Sequence, residues 1–243
     1  MRILTNLCLL ILLLTACTPP ATPQPAPVTV TLSASDTPTV TATSTATNTP
    51  APTKTSTLVP SVDSLEASVT ELLNCRYGPG AEYLYLYGLR KGDNIKLIGR
   101  TDGNNWLYGV IGKSLKCWVN AKFLAIQGDP QTLPVVYPNE AKLPVSPYYP
   151  PTTVLSATRT GNSVTVKWLD IPLRAGDEED ASMLHYIIEV WRCEGGKFLF
   201  DPLATNETSI TFVDEPGCSQ PSFGRVFVQE KHGFAGPAEI PWP

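Results

Sequence analysis

Leu73-Asn74-Cys75-Arg76-Tyr77-Gly78-Pro79-Gly80 is the first of several short β-prone runs that end on turn residues. Outward from it, Ala67 to Ile126 breaks at Tyr77–Gly80, at Arg90-Lys91-Gly92-Asp93, at Asp102-Gly103-Asn104 and at Ile111-Gly112-Lys113. Such spacing predicts four to six strands in about sixty residues, enough for a small barrel. Alternation places Ile95, Leu97 and Gly99 on one face, with Asn94, Lys96 and Ile98 on the other. Gly78 and Gly80 flank Pro79 and are expected to supply turn φ values that a side chain resists. In Tyr83-Leu84-Tyr85-Leu86-Tyr87 the leucines are expected to face the core and the three tyrosines the outside.

The motifs of residues 62–128 resemble those of bacterial SH3-like (SH3b) domains. Leu73 to Gly80 is similar to that family's LNVRxGPG signature, and Leu89-Arg90-Lys91-Gly92-Asp93 to its L-x-x-G-D turn. Trp106 and Val110 resemble its W-x-x-V strand; Trp118-Val119 with Phe123-Leu124 resembles its closing segment. Cys75 and Cys117 stand where the family usually has Val and Gly, and two such departures imply a Cys75–Cys117 bridge, two buried free thiols being the alternative. The resemblance also implies a binding module for cell-wall peptides or peptidoglycan. Tyr77, Tyr83, Tyr85, Tyr87 and Trp106 are the candidate ligand residues. Aromatics pack cores as readily as they stack on ligands, and Trp106 and Trp118 fit the core better.

Strands return beyond Thr152: Ser163–Trp168, Tyr186–Arg192, Thr208–Val213 and Arg225–Glu230. This spacing predicts a β-sandwich over 152–243. Trp168, the pair Tyr186 and Val190, Arg225–Val228, and a Gly233–Pro237 turn together resemble a fibronectin type III domain, with a lone immunoglobulin-like sandwich as the other reading. In that topology Cys193 and Cys218 fall at one pole, which implies a second bridge. The fold class expected is therefore all-β, an SH3-like barrel plus a sandwich. The Pro-rich residues 129–151 read as a semi-rigid connector, with Tyr148-Tyr149 available to pack on a lobe.

At the other end, Arg2 precedes an eight-residue apolar run, Leu7–Leu14, that is too short to cross a bilayer but has the length of a signal-peptide core. Leu14-Thr15-Ala16-Cys17 resembles the lipobox of bacterial lipoproteins. This implies a signal peptide over 1–16, diacylglyceryl attachment at Cys17, and an extracytoplasmic chain anchored to membrane lipid. Residues 17–61 continue from Cys17 into Thr, Pro, Ala and Ser with few large apolar side chains, so burial cannot offset the entropy of ordering them. They read as a disordered stalk, either a plain spacer or an O-glycosylated one.

A net charge of -4 argues against a nucleic-acid partner. The charge is uneven: residues 62–128 carry eight Lys or Arg against six Asp or Glu, and residues 151–243 seven against thirteen, which fits two modules. The chain has two histidines, His185 and His232, and none of the common hydrolase or nucleotide-binding motifs, so no catalytic residue or cofactor is expected. Asp177-Glu178-Glu179-Asp180 lacks calcium-loop spacing and reads as a solvated loop, so no metal is expected. Lys231–Phe234 is a candidate contact loop at the same pole. The function expected is non-enzymatic binding of peptidoglycan or another envelope polymer or protein. The alternative is a structural component of an envelope assembly.

Overall fold

The computed structural model describes residues 61–138 and 143–243, all within one compact unit. The expected signal peptide, the expected lipid site Cys17 and all but the last residue of the expected stalk lie outside the described residues. The fold is all-β, and both expected disulfides are present, Cys75–Cys117 and Cys193–Cys218, with Cα–Cα distances of 5.5 and 5.8 Å.

Seven strands form the first sheet: β1 (Leu65–Val69), β2 (Leu73–Arg76), β3 (Tyr85–Leu89), β4 (Asn94–Arg100), β5 (Trp106–Ile111), β6 (Leu115–Asn120) and β7 (Leu124–Ile126). They lie in the order β3-β2-β6-β5-β4-β1-β7, with every pairing antiparallel. One more strand forms than the largest number expected, because three-residue β7 closes on β1 after a 3₁₀ turn at Ala121–Phe123. All seven strands feed one apolar interior, with Val69, Leu73, Cys75, Leu89, Ile95, Leu97, Leu107, Cys117 and Val119 at its centre. In β4 the alternation holds: Ile95, Leu97 and Gly99 are buried.

The Gly78-Pro79-Gly80 reading needs correction. Neither glycine is among those with positive φ. Their missing side chains matter for space, since a Cβ on Gly78 would collide with the Tyr83 ring and one on Gly80 with the Glu82 carboxylate.

Seven further strands build a two-sheet sandwich: β8 (Val154–Thr160), β9 (Ser163–Trp168), β10 (Tyr186–Glu194), β11 (Lys197–Thr205), β12 (Ser209–Val213), β13 (Phe223–Glu230) and β14 (Gly233–Glu239). The sheets run β11-β10-β13-β14 and β12-β9-β8. Val164, Val166, Trp168, Tyr186, Ile188, Val190, Phe212, Val226 and Val228 fill the space between them. Gly233–Pro237 is strand, not turn. β11 and β14, which escape a reading by alternation, contain Pro202 and Pro237 and lie at sheet edges, where a missing N–H is tolerated.

Near the second bridge, buried Asp214 accepts hydrogen bonds from Cys193 N (3.0 Å), Ser222 Oγ (2.6 Å) and Trp242 Nε1 (3.2 Å), and pairs with Arg159. Burial raises this carboxyl, but the donors outweigh it and hold it below the ordinary carboxylate range. Asp214→Ala is expected to cost about 2–3 kcal/mol in urea unfolding, because three donors lose a buried acceptor. Since the folded pKa is depressed, this contribution is present above the unfolded value and fades as pH falls through the folded one.

The connector is built into the fold. Leu133 is buried in the first core, worth about 1.5–3 kcal/mol on the transfer scale. Val136 seats against Gly99, and Val136 N donates to Arg100 O at 2.9 Å. Tyr149 packs on the sandwich core and hydrogen-bonds Asp177, while Tyr148 remains largely exposed beside His232.

Candidate functional site

The first lobe docks on the outer face of the sandwich's four-stranded sheet. From Tyr186 to Trp191, β10 is buried at every position, so both of its faces are covered. One face meets the sandwich core. On the other, Ile187, Phe227 and Phe234 pack with Tyr83 and Leu84 of the first lobe.

A polar network lies inside this seam. Tyr83 Oη donates to Glu189 Oε1 at 2.7 Å, and Arg225 Nε donates to Glu189 Oε2 at 2.6 Å. Glu189 has 0% exposure. Arg225 lies over the Trp191 and Phe227 rings, at 5.4 and 5.2 Å from their centroids. Burial pushes the Glu189 carboxyl above its ordinary value, opposed by the Arg225 charge and the Tyr83 hydroxyl. Burial, then the Glu189 charge, pushes the Tyr83 phenol well up, so it stays a donor. Farther along, Asp102 accepts from Phe200 N (3.2 Å) and from Tyr137 Oη (2.8 Å). Gly103 lies so close to Phe200 O that any side chain there would collide with it.

The candidate ligand residues therefore separate. Tyr83, expected on an outer shelf, is buried at 0% exposure, because the second lobe covers that end of the strand run. Tyr77 is half-buried and packs on the same seam cluster. Trp106 is buried with Tyr108, Trp118 and Val136, and its edge borders a pocket of about 240 Å³ with Arg76, Asn120 and Phe123. Tyr85 and Tyr87 are 44% and 49% exposed, and Leu86 packs on the core as alternation predicts, but Leu84, also expected to face that core, packs instead in the seam beside Tyr83, because the second lobe covers this end of the run. β3 forms one end of its sheet, so Tyr85 and Tyr87 stand on an edge strand. Tyr85 N crosses the seam to Glu179, at 2.9 and 3.2 Å from its two oxygens.

Next to that contact is a pocket of about 280 Å³ with walls from both lobes, among them Arg76, Glu82, Leu84, Glu179, Asp180 and Met183. Burial pushes the Glu82 carboxyl up to about 7. Glu179 is also raised by burial.

The acidic run is engaged with protein groups: Asp177 with Tyr149 and Lys231, Glu179 with Tyr85 N, and Asp180 with Ser182. Among the described residues no group of three His, Cys, Asp or Glu side chains is placed to hold a metal ion. A wider cleft of about 660 Å³ on the sandwich is lined by Asp170, Glu178, His185 and Asn206. His185 stacks on Tyr186 at 4.2 Å, and burial lowers its pKa, which favours the neutral ring.

The sequence reading places Asp102 in a turn and Glu189 and Arg225 in strands, and gives none of the three a role at a seam. The available signal was Glu189 itself, a charge inside the apolar run Tyr186–Trp191; such a charge must be paired if both faces of the strand are buried.

No protein-family model matches the sequence, and no curated protein matches it significantly.

Proposed function

We propose that the chain is a non-enzymatic binding protein, anchored outside the cytoplasm through lipid on Cys17. Its first lobe, the one that resembles an SH3b domain, recognises a cell-wall or other envelope polymer or peptide. The sandwich, with its likeness to fibronectin type III domains, serves as spacer and docking module. One observation carries the reading: Tyr85 and Tyr87 are exposed side by side on edge strand β3, beside a pocket shared by both lobes. Exposed rings offer faces to peptide or sugar, and the part of the edge strand beyond Tyr85 N, which Glu179 occupies, offers main-chain groups to an extended peptide. The two disulfides support an oxidising exterior.

The test is a sedimentation assay of the full chain with purified cell-wall material. Wild type is expected to be retained. Tyr85→Ala with Tyr87→Ala is expected to bind about tenfold more weakly, as loss of two contact aromatics implies, with an unchanged melting temperature. Equal retention of the double variant would remove β3 from the reading.

The alternative, a structural component of an envelope assembly, draws on the seam, which joins the two lobes through a buried and a part-buried hydrogen bond. It predicts co-purification of a stoichiometric protein partner and no affinity for wall material.

A further inference from the structure

The cleft of about 660 Å³ on the sandwich lies in the size range of small-molecule sites. Separate segments wall it: Asp170 after β9, the loop Glu178–Met183 with His185 before β10, and Asn206 after β11. Asp170, Glu178 and Asp180 are its carboxylates, and no lysine or arginine lines it. Among the described residues none of the three forms a salt bridge. Lys231, the cation that pairs with this loop, is taken by Asp177. The Ser182 hydroxyl and backbone N–H both donate to Asp180 and hold its carboxyl below the ordinary value, so it is charged at neutral pH.

Carboxylates alone would mark only a solvated loop. The cleft adds a wall built from the sandwich core. Tyr186, at 0% exposure, donates from its hydroxyl to Asp170 Oδ1 at 2.8 Å and so fixes that carboxylate. His185 stacks on the Tyr186 ring, and its Nε2 is closed off from solvent without a hydrogen-bond partner. Burial keeps the imidazole neutral, so it supplies no charge to offset the acids. Asn206 Oδ1 is taken by His185 N at 2.9 Å, which leaves the Nδ2 donor unengaged. Pro172, Leu173 and Met183 make the rest of the lining apolar.

We propose that this cleft is a second binding site, separate from β3, for an alkyl cation: the ammonium or guanidinium of a lysine- or arginine-type side chain. The three carboxylates meet the cationic head, and Leu173 and Met183 cover its stem. The His185 Nε2 and the Asn206 Nδ2 take polar groups next to the stem. A bare metal ion does not fit, because no three His, Cys, Asp or Glu side chains among the described residues are placed to hold one. Asp180 and Met183 also wall the pocket shared by the lobes, so a longer ligand held here runs toward Tyr85. That continuation alone rests on the reading of β3 as a binding edge.

Titration of the full chain with cadaverine and with agmatine at constant pH, followed by NMR, tests the site. The Met183 methyl and the His185 ring report on the cleft; His232, the other histidine, is not part of its lining and is the reference. Saturable shifts are expected at Met183 and His185 with a dissociation constant of about 1 mM, as ligands of this size allow, and none at His232. Pentanol, which has the stem without the charge, is expected to bind at least about tenfold more weakly. Asp170→Asn with Glu178→Gln keeps the acceptors that Tyr186 Oη and Gly176 N use, and is expected to weaken both amines about tenfold. Glu66→Gln with Glu71→Gln makes the same charge change on the first lobe and is expected to leave binding unchanged. Tighter cadaverine binding assigns a lysine-type group, and tighter agmatine binding an arginine-type one. No saturable shift in wild type, equal binding of pentanol, or equal binding by the cleft variant would overturn the proposal. The pentanol comparison uses wild type alone, so it decides the matter even if a variant folds poorly. No readout involves wall material, so failure of this site and failure of the proposed function are separable.

Discussion

Arg225→Ala is expected to destabilise the folded chain by about 3–5 kcal/mol at neutral pH, the usual cost of removing one partner from a buried ion pair. Glu189 has no exposure, and its remaining side-chain donor is the Tyr83 hydroxyl. Without the guanidinium, the carboxylate must stay charged in an apolar seam or take up a proton. Because burial raises the Glu189 pKa, the sign is fixed: the penalty shrinks as pH falls toward the ordinary carboxylate value and is full above the raised one. Arg225 also stacks on Trp191 and Phe227, so the alanine variant loses packing as well as charge. Urea unfolding followed by intrinsic tryptophan fluorescence measures the effect. Glu189→Gln combined with Arg225→Met is expected to recover much of the loss, because no unpaired charge remains and Tyr83 keeps an acceptor. A loss below about 1 kcal/mol for Arg225→Ala would show that Glu189 reaches water, contrary to a sealed interface.

Removing the Cys75–Cys117 bridge is expected to have a similar effect by a different route. The two residues are 42 apart in sequence, and chain-entropy arguments give about 4 kcal/mol for closing a loop of that size. Both sulfurs lie in the centre of the first core, at 0% and 1% exposure. Cys75→Ala with Cys117→Ala leaves no buried hydroxyl and isolates the loss of the cross-link. The melting temperature is expected to fall by roughly 10 °C. Thermal unfolding of the variant beside wild type treated with reductant checks it. A fall of only a degree or two would mean that the core already restricts the unfolded loop.

Much of the architecture is legible from period-two patterning. Ile95, Leu97 and Gly99 turn inward together, and Leu86 packs inward while Tyr85 and Tyr87 stay outside. Cys75 and Cys117 stand out because each departs from a recognisable motif, and Cys193 with Cys218 because strand order brings them to one pole. β11 and β14 were missed because Pro202 and Pro237 interrupt the pattern, as edge strands permit. Gly78 and Gly80 make room for neighbouring side chains, and neither adopts the unusual φ that their place beside Pro79 suggests.

By itself, the sequence determined that the chain is all-β and which residues of a strand share a face, while the cysteine pairs were implied only by the resemblance of its motifs to known families. The first two are local matters, settled by side-chain alternation and turn chemistry over a few residues. Only the tertiary structure decided that Tyr83 leaves the solvent, that Glu189 requires Arg225, and that Leu133 and Val136 of the connector belong to the packed interior. Tyr83 and Glu189 are 106 residues apart, and alternation along either strand cannot say which outer face will meet a second lobe. That choice depends on shape, buried area and charge pairing between surfaces that exist only after each sheet has formed.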